Sequence, residues 1–586
     1  MSTNQELARR FEEMAAALEL TGANPFRVNA HTKVARLLEE MSDDIAALAK
    51  DGGIKRLTAI DGIGEGSAKK IVEYLDTGRI EEHETLLNEV PRGLFDVLNI
   101  PGLGPKTVKL MWEKADITDL ESLKKALASG ELEDLPRMGR KTIENIKDAL
   151  EFAVKAGERR RLGDALPVAE AIIEVLREIK GVKQLEYAGS LRRGKETIGD
   201  IDILASTSDP EALSEAFRGM KGVTKVLAAG ETKSSVRLDI GMQIDLRIVD
   251  DAAFGAALMY FTGSKEHNVI LRERAIRMDM RLNEYGLFPD DDDETPPQQR
   301  GVKPVAARTE KAIYRKLKLA WIPPEMREDR GEVSAAEKDQ LPKLIELDDI
   351  KAELHSHTTA SDGKFSIDEL AAEAKQRGYH TIAITDHSKS SVQANGLSPD
   401  RLREHIDAIR EVDDRIKGIT ILAGSEVDIH ADGSLDYDDD LLAELDVVVA
   451  SPHASLKQEP QKATARLLAA IKHPLVHILG HPTGRLINAR EGLSPDIHAL
   501  IEAAVEHDTA LELNANYLRL DLRDSHLKAA VEGGSLIAIN TDAHSSVHFD
   551  YLRYGILTAR RGWLTKSCCI NTWGKTKLRN WLASKR

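Results

Sequence analysis

Residues 197–205 read TIGDIDILA. The pattern predicts a β-strand. Successive side chains in a strand alternate faces, so Asp200 and Asp202 share one face and Ile201 and Ile203 the other. Burial accounts for the isoleucines. It does not account for two carboxylates side by side, which repel unless a positive charge lies between them. A third lone acid, Asp245, sits in another apolar strand pattern, MQIDLRIV. Three carboxylates on neighbouring strands can hold two divalent cations roughly 3.5–4 Å apart, the arrangement used for in-line phosphoryl displacement. The expected counter-charge is therefore metal, Mg2+ or Mn2+, arriving with the phosphates of a nucleotide. Just upstream, GSLRRG offers Ser190 and Arg193 to phosphate oxygens, the arginine bidentately.

At 586 residues the chain exceeds one hydrophobic core, and roughly three to six domains or subdomains are expected. No apolar run approaches the ~20 residues that cross a bilayer, so no membrane association is expected. The opening MSTNQELARRFEEMAAALEL reads as an amphipathic helix rather than a signal peptide. Cys568 and Cys569 are adjacent and cannot form a disulfide framework, which suits a reducing cytoplasm. The net charge of −16 argues against nucleic acid only as a sum, because binding depends on where charges lie. Residues 559–586 carry eight Lys/Arg and no acid, a pattern that fits either a solvated basic helix or a DNA contact. Histidine usage divides the chain: fifteen of eighteen lie between His355 and His548. Two units with different chemistry are expected.

Residues 1–160 read as helical, with three similar interruptions. Gly62 and Gly64 precede one helix pattern, Gly102 and Gly104 (followed by Lys106) another, and Gly139 alone a third, where Arg137 stands in place of a glycine. Turn glycines let a backbone approach closely, and the exposed N–H groups of the next helix favour an anion. These stretches resemble the helix-hairpin-helix motif, which grips DNA backbone. The alternative is an ordinary helical hairpin. From residue 349 apolar strands alternate with amphipathic helices, which predicts βα units and a parallel, barrel-like sheet. Each predicted strand ends in polar or histidine-bearing residues, where barrel sites gather. His355, His357, Asp362, His387, Glu426, His453, His481, Asp542 and His544 make nine N and O donors without sulfur. Such a set suits Zn2+, Mn2+ or Fe2+ bound in a cluster. His405, His498, His507 and His526 fall in helical patterns and are expected at the surface.

AGSLRRGKETIGDIDIL, IDLRIV and YFTGSKEHN resemble the family X DNA polymerases of the nucleotidyltransferase superfamily, over residues 1 to about 320. The resemblance implies that Asp200, Asp202 and Asp245 are the metal-binding catalytic acids, Asp245 helping to activate the primer 3′-hydroxyl. It implies Ser190, Arg193 and Gly199 at the triphosphate, and Tyr260, Phe261, Gly263 and Asn268 at sugar and base. In some relatives the first hairpin carries a Schiff-base lyase. Lys70 falls at that lysine, although Gly66 replaces a supporting lysine, and a surface lysine facing phosphate is the alternative.

Residues 350–570 resemble the polymerase and histidinol phosphatase (PHP) domain, a distorted barrel with three metals. That resemblance places one ion on His355, His357, Glu426 and Asp542, a second on Glu426, His453 and His481, and a third on Asp362, His387 and His544. Arg519 and Asn514 are candidates for a substrate phosphate, with a structural ion pair the alternative for Arg519. The implied architecture is a multidomain chain: an N-terminal all-α helix-hairpin-helix region in two parts (1–85 and 86–160), an α+β palm (161–251), a thumb (252–320), a linker (321–348) and a C-terminal α/β PHP barrel (349–586). Bacterial and archaeal family X repair polymerases share this arrangement. The resemblance implies a cytoplasmic monomer acting on gapped or nicked DNA with dNTPs, and a separate 3′→5′ exonuclease, in some relatives with abasic-site cleavage. The alternatives are a C-terminal small-molecule phosphatase, an inactive structural PHP domain, and a template-independent nucleotidyltransferase.

Overall fold

Heptad-like spacing of Leu7, Phe11, Met14 and Leu18 gives the helix Thr3–Thr21 one apolar face, and all four side chains are buried. A computed structural model describes residues 3–41, 45–60, 62–98, 103–136, 143, 146–147, 159–291, 293 and 295–585. The chain divides into two units, residues 1–158 and 159–586. In the first unit helices Pro25–Glu40, Glu65–Thr77, Pro105–Ala115 and Leu120–Ser129 pack with Thr3–Thr21 around one core. Gly64 and Gly104 each stand at the N-cap of a helix, Glu65–Thr77 and Pro105–Ala115, with open space where a Cβ would project. Gly62 has φ +100°, a conformation that favours glycine. Gly102 and the third interruption at Gly139 lie outside the described residues.

The second unit begins with a five-stranded sheet: β1 (Val182–Tyr187), β2 (Asp200–Thr207), β3 (Val223–Ala229), β4 (Lys233–Leu238) and β5 (Gln243–Ile248). Its order is β1-β2-β5-β4-β3, and the β2/β5 pair is parallel while the others are antiparallel. Ile201, Ile203, Ile244 and Leu246 are buried against helix Leu162–Arg177 in the same core. Ile487, Leu520 and Tyr554 of the C-terminal part join that core, so the two parts share apolar packing.

Helices Phe254–Thr262, Lys265–Ile276 and Glu310–Lys316 form the next layer. Residues 321–348, expected as a linker, are packed into it: Ile322, Met326, Ala336 and Leu344 are buried in its core. The charge that suggests a linker in the sequence is paired in the fold. Arg327, fully buried, lies 2.6 Å from Glu310, and Glu332 lies 2.7 Å from His267.

The C-terminal part is a seven-stranded parallel sheet in chain order: β6 (Ala352–Glu353), β7 (Thr381–Ile384), β8 (Thr420–Asp428), β9 (Val447–Ser451), β10 (Ile478–Leu479), β11 (Ala510–Asn514) and β12 (Ile537–Asn540). A bridge between Ser356 and Ala543, just beyond the first and last strands, nearly closes it into a barrel. The basic segment 559–586 ends in the helix Lys575–Ala583, which packs one face on the barrel and leaves Lys575, Lys577 and Arg579 exposed. Trp573, Leu578, Trp581 and Leu582 pack with Ala352, Val447, Ile478 and Ala510 at one end of the barrel. Lys585 donates from Nζ to the carbonyls of Val476 (2.9 Å) and His507 (2.8 Å) and to Thr509 (2.7 Å). No helix among the described residues is long and apolar enough to cross a membrane. Trp581→Ala should destabilise the barrel by about 3–5 kcal/mol, seen as a lowered denaturant midpoint for its unfolding.

Candidate active sites

In the five-stranded sheet the parallel pairing of β2 and β5 sets Asp202 directly opposite Asp245, with Asp200 opposite Gln243. Burial, then the charges of Asp200 and Asp245, push the Asp202 carboxyl up to about 7. Burial and Asp245 also raise Asp200. Burial would raise Asp245 as well, but Lys233 at 2.8 Å, with hydrogen bonds from Ser235 and Gln243, holds it below its ordinary value. One acid of the three has its own cation, and the other two repel. That imbalance fits a divalent cation.

GSLRRG wraps this edge. Gly189 has φ +61°, and a Cβ there would stand 2.6 Å from Asp202 Oδ2, so glycine is what lets the turn approach the acid. Ser190 follows in the short helix Gly189–Arg192. Arg193 donates from Nε to Glu328 (2.9 Å) and from Nη1 to the Thr262 carbonyl. Gly263, at φ +69°, leaves room for it: a Cβ would lie 3.1 Å from Nη1. Asn268 Nδ2 donates to the Tyr260 carbonyl (2.7 Å), Tyr260 packs edge-on to Phe261, and Arg247 lies over the Phe261 ring. Gly199 sits beside Arg159. Sequence reasoning missed Arg192, which bonds Glu310 at two points (2.8 and 3.0 Å) and Thr262 Oγ1 (2.7 Å), tying the following layer to the sheet. It also missed Lys233. The paired arginines of LRRG were visible, but not their separate partners.

In the first unit Lys70 Nζ lies 2.8 Å from Glu82 and 3.4 Å from the Gly66 carbonyl, with the side chain only 17% exposed. Lys106 stands on the first turn of helix Pro105–Ala115, beside Gly104.

At the carboxyl ends of the barrel strands all nine expected donors converge. Three overlapping groups have donor atoms within 4.8 Å of one another: His357, Asp362, His387 and His544; His355, His357 and Asp542; and His387, Glu426 and His453. His481 Nε2 lies 2.8 Å from Glu426 Oε1. Asp362, His387 and His544 fall in one group, His355, His357 and Asp542 in another with Glu426 3.4 and 3.7 Å from the two histidines, and His453 lies 3.1 Å from Glu426. His355 Nε2, both ring nitrogens of His357, His387 Nδ1, His481 Nδ1 and Asp542 Oδ1 are buried without a hydrogen bond. Buried polar atoms left this way in one pocket fit ligation of metal ions.

The electrostatics agree. Burial alone would raise Glu426, yet His453, His355 and His387 hold it well below the carboxylate range. Glu426 and Asp428 overcome burial at His453 and push it up to about 10. His357, buried beside His544 and His387, falls to about 4. A second layer orients the donors. Glu512 accepts from His355 Nδ1 (2.8 Å) and from the His481 amide (2.7 Å), and Asp428 accepts from His453 Nδ1 (2.9 Å).

Several expectations change here. Asn514, expected at a substrate phosphate, is fully buried. It donates to Asp542 (3.1 Å) and its oxygen accepts the Asn516 amide (3.0 Å), so its polar atoms are spent inside the fold. Arg519 has no ion pair among the described residues and lies near both Arg490 and Asp521. His405 is not on the surface: it is buried, with Nε2 2.8 Å from Asp386, a carboxylate that also accepts from Thr358 and Ser361 on the way to Asp362. His526 is half-buried, and burial, then Arg523 and Arg485, holds it well below the histidine range. His498 is half-buried and His507 partly exposed. An amphipathic helix hides which of its polar residues turns inward to meet a buried acid.

Family descriptions match successive stretches: a helix-hairpin-helix domain over residues 2–80, a SAM-like helix-hairpin-helix tandem over 95–151, the DNA polymerase beta palm over 164–281, the DNA polymerase beta thumb over 257–328 and a PHP domain over 353–516. Fold and sites together define a polymerase-beta-type nucleotidyltransferase joined to a PHP metal domain. A Bacillus subtilis (strain 168) protein named DNA polymerase/3′-5′ exonuclease PolX is 40% identical over 569 residues, 97% of each chain. The chain belongs to this family, the family X DNA polymerases with a C-terminal PHP domain. The C-terminal part alone is similar to probable phosphatases of Thermoanaerobacter sp. (strain X514), 29% identical over 40% of this chain and 94% of that one, and of Shewanella sp. (strain MR-4), 32% identical over 32% and 75%.

A raised carboxyl pKa in the fold means that ionisation costs stability, a cost absent below the unfolded value and complete above about pH 7. Metal-free Asp202→Asn should therefore melt a few degrees above wild type at pH 8, the difference shrinking as pH falls toward 4. Differential scanning fluorimetry in chelator across that range checks the sign.

Proposed function

We propose that the chain is a DNA-directed DNA polymerase that fills short gaps during repair, and that its PHP cluster is a separate 3′→5′ exonuclease. The pairing of Asp202 with Asp245 across parallel strands, beside the Ser190–Arg193 turn, carries the polymerase half. Divalent cations held by Asp200, Asp202 and Asp245, Mg2+ or Mn2+, supply charge neutralisation for a triphosphate and its transition state. Asp245, kept ionised by Lys233, accepts the proton of a primer 3′-hydroxyl. Ser190, Arg193 and Gly199 take the triphosphate, and Tyr260, Phe261, Gly263 and Asn268 shape the sugar and base pocket. The two hairpins at Gly62–Gly64 and Gly102–Gly104, with Lys106, take the DNA backbone on either side of a gap. Lys70 contacts the same backbone or, where a lyase is present, an abasic sugar. The partners are gapped or nicked DNA and dNTPs, and the chain acts as a monomer in the cytoplasm.

The nine converging donors support the exonuclease half. Zn2+, Mn2+ or Fe2+ bound there supplies Lewis acidity toward a phosphodiester and activates an attacking water. Glu512 and Asp428 fix the ring orientations of His355 and His453, and Arg519 holds the substrate phosphate. The similarity of this part to probable phosphatases favours a second reading, release of phosphate from small phosphomonoesters.

A 5′-labelled primer on a short-gap duplex tests both halves. Asp202→Ala should lose extension by at least about a thousandfold and keep shortening, while His355→Ala or Glu426→Ala should do the reverse. Loss of both activities together in Asp202→Ala would overturn the two-site assignment. Phosphate release from a phosphomonoester without shortening of the primer by wild type would establish the second reading.

A further inference from the structure

Arg193 is held by a chain of buried charges that ends in the PHP domain. Its Nε and Arg561 Nη1 both donate to the same oxygen of Glu328, at 2.9 and 2.8 Å, and Lys195 stands 3.8 Å from the other oxygen. Arg561 Nη1 also donates to the Arg193 carbonyl (2.8 Å). Asp524 anchors the far side of Arg561, 2.7 Å from Nη2 and 2.9 Å from Nε, and is itself 3.1 Å from Arg330. Glu328 and Arg561 are almost fully buried. The backbone follows the same route: Gly194, φ +64°, lies so close to helix Leu552–Arg561 that a Cβ would stand 3.1 Å from Leu557.

An arginine alone with a carboxylate closes a two-point, fork-to-fork pair. At Glu328 that pair does not form: Arg193 and Arg561 both bond Oε1, and Oε2 lies toward Lys195 at 3.8 Å. Arg193 thus spends Nε on Glu328 and Nη1 on the Thr262 carbonyl, and among the described residues Nη2 has no hydrogen bond. Building on the reading of Arg193 as a triphosphate ligand, we propose that Arg561 of the PHP domain is a positioning residue for nucleotide incorporation: by sharing Glu328 it stops that carboxylate from capturing the whole Arg193 guanidinium and leaves an edge for the incoming triphosphate. The PHP domain then completes the polymerase's nucleotide site as well as carrying its own.

Single-nucleotide gap filling by the full-length protein in Mg2+, measured as KM and kcat for dNTP, tests this. Arg561→Gln should raise KM about tenfold with kcat little changed, and exonuclease activity should stay within about twofold of wild type. Glu328→Gln should lower KM by about threefold, and the double variant should match Glu328→Gln, because Arg561 acts through that carboxylate. An unchanged KM in Arg561→Gln, or a raised KM that persists in the double variant, overturns the proposal. Should Arg561→Gln misfold and lose both activities, Glu328→Gln alone decides, since damage does not lower KM; an unchanged or raised KM there overturns it. Arg193→Ala separates the two readings. If its KM is unchanged, Arg193 is not a triphosphate ligand and both fall. If its KM rises while Arg561→Gln and Glu328→Gln are silent, only the role of Arg561 falls.

Discussion

A charge taken out of water has to be met by another charge or by hydrogen bonds, and residues 159–586 are organised around that requirement. On the sheet, Asp202 faces Asp245 at one register position, and Lys233 pairs directly with the second at 2.8 Å. In the barrel, Glu426 lies among His387, His453 and His481 within about one hydrogen-bond length of each. The sheet site gathers like charges and the barrel site gathers buried donors, several of them without a hydrogen bond. The remaining deficit is what a divalent ion meets, so the same imbalance that weakens the metal-free fold supplies the affinity of the site.

The requirement also explains how a charged segment becomes a structural joint. Residues 321–348 have the composition of a linker, yet Arg327 and Glu332 are buried because Glu310 and His267 wait for them. Glu328 continues the pattern by meeting Arg193 from the sheet and Arg561 from the barrel. Buried ion pairs add little net stability but are costly to break one partner at a time. They therefore favour one relative placement of palm, thumb and PHP parts over others, which is the property a shared nucleotide site needs.

Apolar packing does the complementary work. Tyr554, Ile487 and Leu520 complete the core under the palm sheet, and Trp573 and Trp581 close the end of the barrel away from its metal ligands. Some of the tail's basic residues are taken up by this packing, while Lys566, Lys575 and Arg579 stay exposed. Arg561 is buried in the ionic chain, Lys585 reaches backbone carbonyls, and Lys577 lies over the Trp573 ring.

The chemistry of both sites was legible in the sequence because it is local. Asp200 and Asp202 alternate in step with a strand's pleat, and the PHP donors each sit just after a strand pattern, so residue type and period were enough. The helix-hairpin-helix turns were legible for the same reason, as glycines before helix starts. Tertiary structure alone decided which groups share a partner. Nothing in the local pattern says that His405 turns inward to Asp386, that Asn514 donates to Asp542, or that Arg193 and Arg561, 368 positions apart, meet on one oxygen of Glu328. Periodicity determines which face a side chain occupies, whereas pairing of buried charge depends on what another part of the chain brings to that face, and only the fold makes that choice.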